Sequence, residues 1–324
     1  MTLVLGVDGG NTKTVALVSR DDGTIVGAGR AGCADIYGAD SPEAAIDAIA
    51  GAAQEALHAA GATGADLDAA VFCLAGADWP EDFELHHREL TARLSLRRTA
   101  TVFNDAIATL RAGTPDAIGV AAVVGTGGAI AGRNEQGATW HLGFWPDGMA
   151  AVGIARAGLR AVYRNGLGLD VPTTLTERAC ELFGVSDVLE LLHRFSRRGP
   201  RPPVVSIVPM VFEEAAAGDR VARAIIETDA SRFADAVRTT AARLGLATPY
   251  ALVLAGGVLR HPAASLHADA IARGVPDAVA VRASWEPAAG AVLLACDEAG
   301  FAPAPDRLRE SLPADAFFAT RSDL

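Results

Sequence analysis

Short apolar runs alternate along the chain with glycine-rich turns, then give way to long stretches of helical period. Residues 3–7 are the first apolar run. The turn Asp8-Gly9-Gly10-Asn11-Thr12 follows, residues 15–19 read as the returning strand, and Asp21-Asp22-Gly23 turns into a third strand at 24–29. This spacing predicts an antiparallel meander. Ser41-Pro42-Glu43 reads as a helix start, with Ser as cap, Pro at the first position and an acid in the first turn. The helix carries Ile46, Ile49, Ala53 and Leu57 on one face and stops at Gly61. A strand at 69–74, a polar helix near 81–94, a strand at 99–103 and a helix opening at Asn104 or Asp105 complete the first third.

The same grammar then recurs. Residues 118–124 are an apolar strand, Gly125-Thr126-Gly127-Gly128 is a turn, and a return strand opens over 129–132. Identity between the two passages is too low for a sequence repeat, but they predict two units on one plan. Residues 149–244 are mostly helical in period, with a basic, proline-rich loop at 197–203. A strand at 250–254 leads into Ala255-Gly256-Gly257, a late strand covers 278–281, a late helix 286–299, and the tail beyond Pro303 reads as partly mobile. A length of 324 residues suits two domains at ~100–200 residues each. The expected division is 1–114 and 115–324, with helix 286–299 a candidate to pack back on the first.

Composition narrows the class. Hydrophobic residues make up 50% and charged ones 21%, which is globular rather than disordered. The formal charge of −11, without a basic stripe interleaved with aromatics, argues against a nucleic-acid partner. Cys33, Cys73, Cys180 and Cys296 lie far apart, which fits reduced thiols in a cytosol better than a metal or disulfide framework. The seven histidines have no metal spacing. The N-terminus lacks a basic leader and its apolar run breaks at Asp8, so a cytoplasmic protein is expected. The longest uncharged stretches, 117–132 and 244–259, are short and glycine-rich for a membrane span.

The two glycine-rich turns carry the chemistry. In Gly9-Gly10-Asn11-Thr12-Lys13, glycines let the turn take positive φ and bring backbone N–H groups close to a phosphate. Lys13 is the only lysine of the chain. Asp8, at the end of a strand, is placed to bind Mg²⁺ directly or through water. An ordinary hairpin also favours Gly and Asn, but Thr126, Gly127 and Gly128 supply a second such turn, and the pair would clamp one triphosphate. Gly256 and Gly257 would let backbone lie against a nucleoside. Asp105 is either the cap of the next helix or a general base for an attacking hydroxyl, and the two roles are compatible. Trp140, His141 and Trp145 read as packing residues, with Trp145 a candidate for stacking on a sugar.

Taken together, these residues resemble the N-acetylglucosamine kinase branch of the actin, hexokinase and heat-shock chaperone ATPase superfamily. The likeness runs over residues 3–297. Its pieces are 8–14, Leu74-Ala75-Gly76, Asn104-Asp105-Ala106, 125–128, 254–258, Ala216-Ala217-Gly218-Asp219 and Gly290-Ala291-Val292-Leu293. The resemblance implies an α/β fold of two ribonuclease-H-like domains with an interdomain cleft closing over ATP and sugar, and a homodimer. It assigns residues 9–13 and 125–128 to the phosphates, Gly256 and Gly257 to the nucleoside, Gly218 to the ATP site, and Asp105 to the catalytic base with Asn104 beside it at the sugar. It departs from the family where a Pro-Ser-Asn segment is expected: here the chain reads Gly32-Cys33-Ala34-Asp35. The Trp140–Met149 loop also has altered spacing around Asp147. Asp35 and Asp147 are therefore the candidate sugar ligands of a rebuilt pocket.

The expected activity is phosphorylation of an amino sugar, glucosamine first and N-acetylglucosamine as the alternative. An ATPase activator of a radical dehydratase or reductase would need closely placed cysteines. A sugar-responsive repressor would need a helix-turn-helix ahead of the strand at Leu3.

Overall fold

Five strands form the first sheet of the computed structural model, which describes residues 2–142 and 148–319. β1 (Leu3–Gly9), β2 (Thr14–Arg20) and β3 (Ile25–Ala31) make the antiparallel meander, and β4 (Leu67–Leu74) and β5 (Thr101–Asn104) add in parallel, giving the order β3-β2-β1-β4-β5. The period of two along β1 decides what covers each face. Leu5 and Val7 pack in the cluster under α1 (Pro42–Ala59), while Val4 joins the cluster on the opposite face. Ser41 caps α1 by accepting from Ala44 N at 3.1 Å. The helix lies directly on β3: a Cβ at Gly27 or Gly29 would stand 2.0 Å from the carbonyl oxygens of Ala56 and Ala52. α2 (Pro80–Arg93) follows β4, and α3 (Ala106–Gly113) follows β5.

The second sheet repeats the plan. β6 (Gly119–Val124), β7 (Gly128–Arg133) and β8 (Thr139–His141) are an antiparallel meander, and β9 (Tyr250–Ala255) and β10 (Ala278–Arg282) add in parallel, in the order β10-β9-β6-β7-β8. The expected α/β architecture of two like sheets is therefore present. β8 was not legible as a strand, because its three residues lie between polar turns and carry no alternation of their own. Between the meander and β9 run α4 (Ala150–Gly166), α5 (Leu175–Phe183), α6 (Val188–Ser196), α7 (Val208–Ala217) and α8 (Arg220–Leu244), and α9 (Ser265–Gly274) precedes β10.

α10 (Pro287–Ala299) is buried without a break from Ala288 to Cys296. It packs on β1 and α3 through small residues. A Cβ on Gly6 would meet the backbone N of Val292 at 2.2 Å, and one on Gly290 the carbonyl oxygen of Ala108 at 2.0 Å. The tail differs from expectation: it folds into α11 (Pro305–Ser311) and α12 (Asp315–Phe318). Leu308 and Phe318 are buried, Ser311 Oγ accepts from Ile25 N at 2.8 Å, and the carbonyls of Phe318 and Ala319 accept from Lys13 Nζ and an Arg30 guanidinium nitrogen. The buried apolar anchors outweigh the entropy of a free terminus.

Candidate functional site

Between the two sheets lies a cleft of about 1010 Å³, and the carboxyl-side ends of β1 and β6 open onto it. Asp8, Gly10, Asn11, Thr12 and Lys13 line one side, and Gly125 and Thr126 the other, with Asp105 also on the wall. Most of the expected phosphate-turn residues therefore come together. The hairpin after β1 is closed by Gly10 N donating to Lys13 O at 2.9 Å, and its flanks are fixed by Ala34 N to Gly10 O at 3.0 Å and Ala75 N to Gly9 O at 2.7 Å.

The glycines do not work as expected. None of Gly9, Gly10, Gly125, Gly127 or Gly128 is among the left-handed residues. Gly9 is required by contact instead: a Cβ there would come within 2.7 Å of Ala34 Cβ and 2.8 Å of Leu74 Cδ2. Gly128 has the Phe233 ring 2.8 Å from that position. Gly256 combines both reasons, with φ +110° and the Val124 carbonyl oxygen 2.3 Å from a would-be Cβ. Gly256 and Gly257 line the cleft beside Val258 and Phe212. Gly218 is not among the lining residues. It ends α7 in left-handed backbone at φ +105°, a C-cap position, and its amide bonds Ala215 O and Glu214 O. Asp147 and Trp145 lie outside the described residues.

Lys13 lines the cleft, but its ammonium is already engaged. Its ammonium donates to the Phe318 carbonyl of the tail. Burial pushes its pKa down, against the pull of Glu286 and Asp8.

Carboxylates crowd the other end. Asp105 precedes α3 yet makes no side-chain cap bond; Asn104 Oδ1 takes the Ala106 amide at 3.3 Å. The Asp105 carboxyl is thus left toward the cleft, where burial and the neighbouring Asp78 push its pKa up to about 6, with local N–H groups opposing. Asp8 is pushed up to about 7 by burial and then by Asp105, with Lys13 opposing. Such crowded carboxyl oxygens are the hard donors that a divalent cation takes, and Mg²⁺ uses one or two of them with phosphate and water. No cage of three or more His, Cys, Asp or Glu occurs among the described residues.

Asp78 is the residue that sequence reasoning missed. Burial, Asp35 and Asp82 raise its pKa to about 6, while Asn104 Nδ2 donates to its Oδ1 at 3.3 Å. Asp35 is near enough for its charge to be felt by Asp78, and its Oδ1 accepts from Tyr37 N at 2.9 Å; neither carboxylate is among the residues that line the cleft. Asp82, almost fully buried, ties the two loops together. It accepts from Tyr37 Oη at 2.9 Å and from the amides of Asp78 and Trp79 at 3.2 and 2.9 Å. His141 Nε2 lies 3.0 Å from the Asp78 carbonyl, and Trp140 packs under the Arg243 guanidinium, so both stand as packing and positioning groups. The spacing of Asp78 and Asp82 on either side of Trp79-Pro80 was readable only as a helix start.

Two like sheets flanking a cleft, with a tight turn from each at its wall, define an α/β protein of the actin and hexokinase type. The chain belongs to the BadF/BadG/BcrA/BcrD ATPase family, whose pattern matches residues 5–295. Among curated proteins it is similar to an N-acetyl-D-glucosamine kinase of Dictyostelium discoideum, at 24% identity over 310 residues, 90% of this chain and 97% of that one. Among solved structures it is similar to a candidate N-acetylglucosamine kinase of Chromobacterium violaceum, with TM-score 0.63 and 18% identity over 91% of this chain and 99% of that one. It is also similar to a glucokinase of the ROK family from Streptomyces griseus in complex with glucose and AMPPNP. There the TM-score is 0.57 and the identity 19%, over 91% and 99% of the two chains. Among the described residues no helix is long and apolar enough to cross a membrane.

Proposed function

We propose that this protein is an ATP-dependent hexosamine kinase that phosphorylates glucosamine at its 6-hydroxyl. The observation that carries the reading is the place of Asp105: uncapped, raised in pKa, and on the wall of a cleft that also holds both glycine-rich turns. The relatives, sugar kinases by sequence and by fold, support the class. In this reading residues 1–114 and 115–324 are the two units, and the cytoplasm, where ATP is made, is the setting.

The chemistry follows from the residues. The backbone of residues 9–13 and 125–128 orients the triphosphate, and Gly256 and Gly257 bound the nucleoside. Asp105 accepts the proton of the sugar hydroxyl as its oxygen bonds the γ-phosphorus, the bond to the β–γ bridging oxygen breaks, and ADP leaves. Asp8 would hold Mg²⁺, which when bound neutralises charge on the phosphate oxygens. Asp35, with Asp78 beside it, faces the sugar amine: a carboxylate pairs with an ammonium by a charge-assisted hydrogen bond.

The sequence relatives favour a second reading, N-acetylglucosamine as acceptor. The Asp35 position speaks for the amine: its Oδ1 already accepts from Tyr37 N at 2.9 Å, and an acetamide, unlike an ammonium, offers its other oxygen no charge to pair with. Incubation with ATP, Mg²⁺ and glucosamine tests the proposal: ADP and a sugar monophosphate should appear in equal amounts and only when sugar is present. ADP release that is indifferent to sugar would overturn it.

A further inference from the structure

Away from the reacting groups, α8 and α9 bury an acid–histidine pair between them. Asp229, on α8, is 3% exposed, and His267, on α9, is fully buried. His267 Nε2 lies 2.7 Å from Asp229 Oδ2. The other carboxyl oxygen, Oδ1, accepts from the backbone N of Ala150 at 3.0 Å. Burying a carboxylate is costly unless each oxygen is bonded. A Ser, Thr or Asp at the cap position would have satisfied the start of α4 locally. That position holds Met149, which makes no side-chain cap bond. The cap instead comes from a residue 79 positions away, and Ala150 itself is held at φ +59°.

What α4 touches next gives the pair its meaning. Ala151 N donates to Gly125 O at 3.2 Å and Val152 N to Thr126 O at 3.1 Å. In a trans peptide the N–H points opposite to the C=O. Carbonyls of Gly125 and Thr126 turned toward α4 therefore turn the amides of Thr126 and Gly127 away from it. The axial position of α4 thus sets how the second glycine-rich turn presents its donors. The same pair also reaches the nucleoside wall. The His267 ring stands edge-on to Phe212 and Phe233, with centroids 6.2 and 5.8 Å away. Phe212 and the next residue on α9, Ala268, line the cleft.

We infer that Asp229 and His267 are positioning residues for the nucleotide, fixing the second phosphate turn against the nucleoside wall. Neither touches the reacting atoms. The inference rests on the reading of the cleft as an adenine-nucleotide site, and it concerns the second sheet's side alone, so sugar recognition on the first should be insensitive to it.

The test compares Asp229→Ala, Asp229→Asn and His267→Phe with the wild type. ADP binding is measured by calorimetry without sugar, and KM for ATP and for glucosamine by turnover, with the unfolding midpoint as control. Losing a buried acceptor should weaken ADP and raise KM for ATP about tenfold or more in Asp229→Ala. KM for glucosamine should stay within about twofold, because no bond of the pair reaches that side. Asp229→Asn keeps an acceptor for Ala150 N and should restore most of the affinity. His267→Phe keeps the ring packing and removes the bond to Asp229, and should weaken ADP in the same direction by a smaller factor. Should Asp229→Ala not fold, His267→Phe decides. A lower unfolding midpoint with unchanged ADP affinity, or equal losses for ATP and glucosamine, overturns the inference. A wild type that binds ADP but phosphorylates no sugar sinks the kinase reading alone, while one that binds no adenine nucleotide sinks both.

Discussion

Asn104 Nδ2 donates to Asp78 Oδ1 at 3.3 Å, joining the residue before Asp105 to the loop that follows β4. Through this bond the candidate base and the candidate sugar pocket share one rigid corner, and the charge of Asp78 is felt by Asp105.

Replacing Asp105 by Asn should remove turnover and spare nucleotide binding. An amide cannot take the hydroxyl proton, and general-base removal costs ~10²–10⁴-fold in rate. Steady-state rates and ADP calorimetry on the same preparation check this. Near wild-type turnover in folded Asp105→Asn protein would end the assignment.

Asp8→Ala should be far more damaging than Lys13→Ala. Asp8 lines the cleft beside Asp105, whereas the Lys13 ammonium is bonded to the Phe318 carbonyl. Paired kinetics across a Mg²⁺ series would show the reverse ranking if the tail contact yields to nucleotide.

The acid limb of kcat/KM should report Asp105. A base works only when ionised, so activity is low below its pKa of about 6 and rises as pH increases through that value. After burial, the charge of Asp78 raises Asp105 the most. Asp78→Asn removes it, so the midpoint of the limb should move to lower pH, whatever the change in maximal rate. A midpoint that stays fixed or moves up contradicts the coupling.

His86 gives a stability prediction apart from the cleft. It is fully buried, neither ring nitrogen has a partner, and burial pushes its pKa down to about 4, against the pull of Asp82, with His87 and Asp35 also near. A depressed folded value means that the neutral ring's contribution is complete above the unfolded value, near 6.5. It is lost as pH falls from there toward 4, by a few kcal/mol at most. His86→Phe should therefore flatten the difference in denaturation midpoint between pH 7 and pH 4.5. The same acid loss in both proteins would place its cause elsewhere.

Much of this was legible in the chain. The strand, turn and return strand at 3–19 and again at 118–132 carry short apolar runs and glycine punctuation, and those signals are local. The Asp105 reading was open between cap and base because a sequence does not show that Asn104 takes the cap bond. The glycine argument expected positive φ, whereas Gly9 and Gly128 are fixed by contact with Leu74, Ala34 and Phe233, which no local pattern encodes. Asp78 was missed because its partners, Asp35 and Asn104, come from other loops. The folding of residues 305–318 was not legible because Leu308 gains its burial against Ala289 and Leu293 of α10, and Phe318 in the cluster that holds Val4, Val15 and Leu17 of the first sheet.

If the Asp35 carboxylate pairs with the sugar ammonium, the enzyme should be selective for the free amino sugar. Measurement of kcat/KM for glucosamine, N-acetylglucosamine and glucose with ATP, in the wild type and in Asp35→Asn, tests it most directly. The wild type should prefer glucosamine over N-acetylglucosamine by about tenfold or more, the scale set by one hydrogen bond between charged groups. Asp35→Asn should lose far more on glucosamine than on glucose. Better use of N-acetylglucosamine by the wild type, or equal losses on glucosamine and glucose in the variant, would contradict the account.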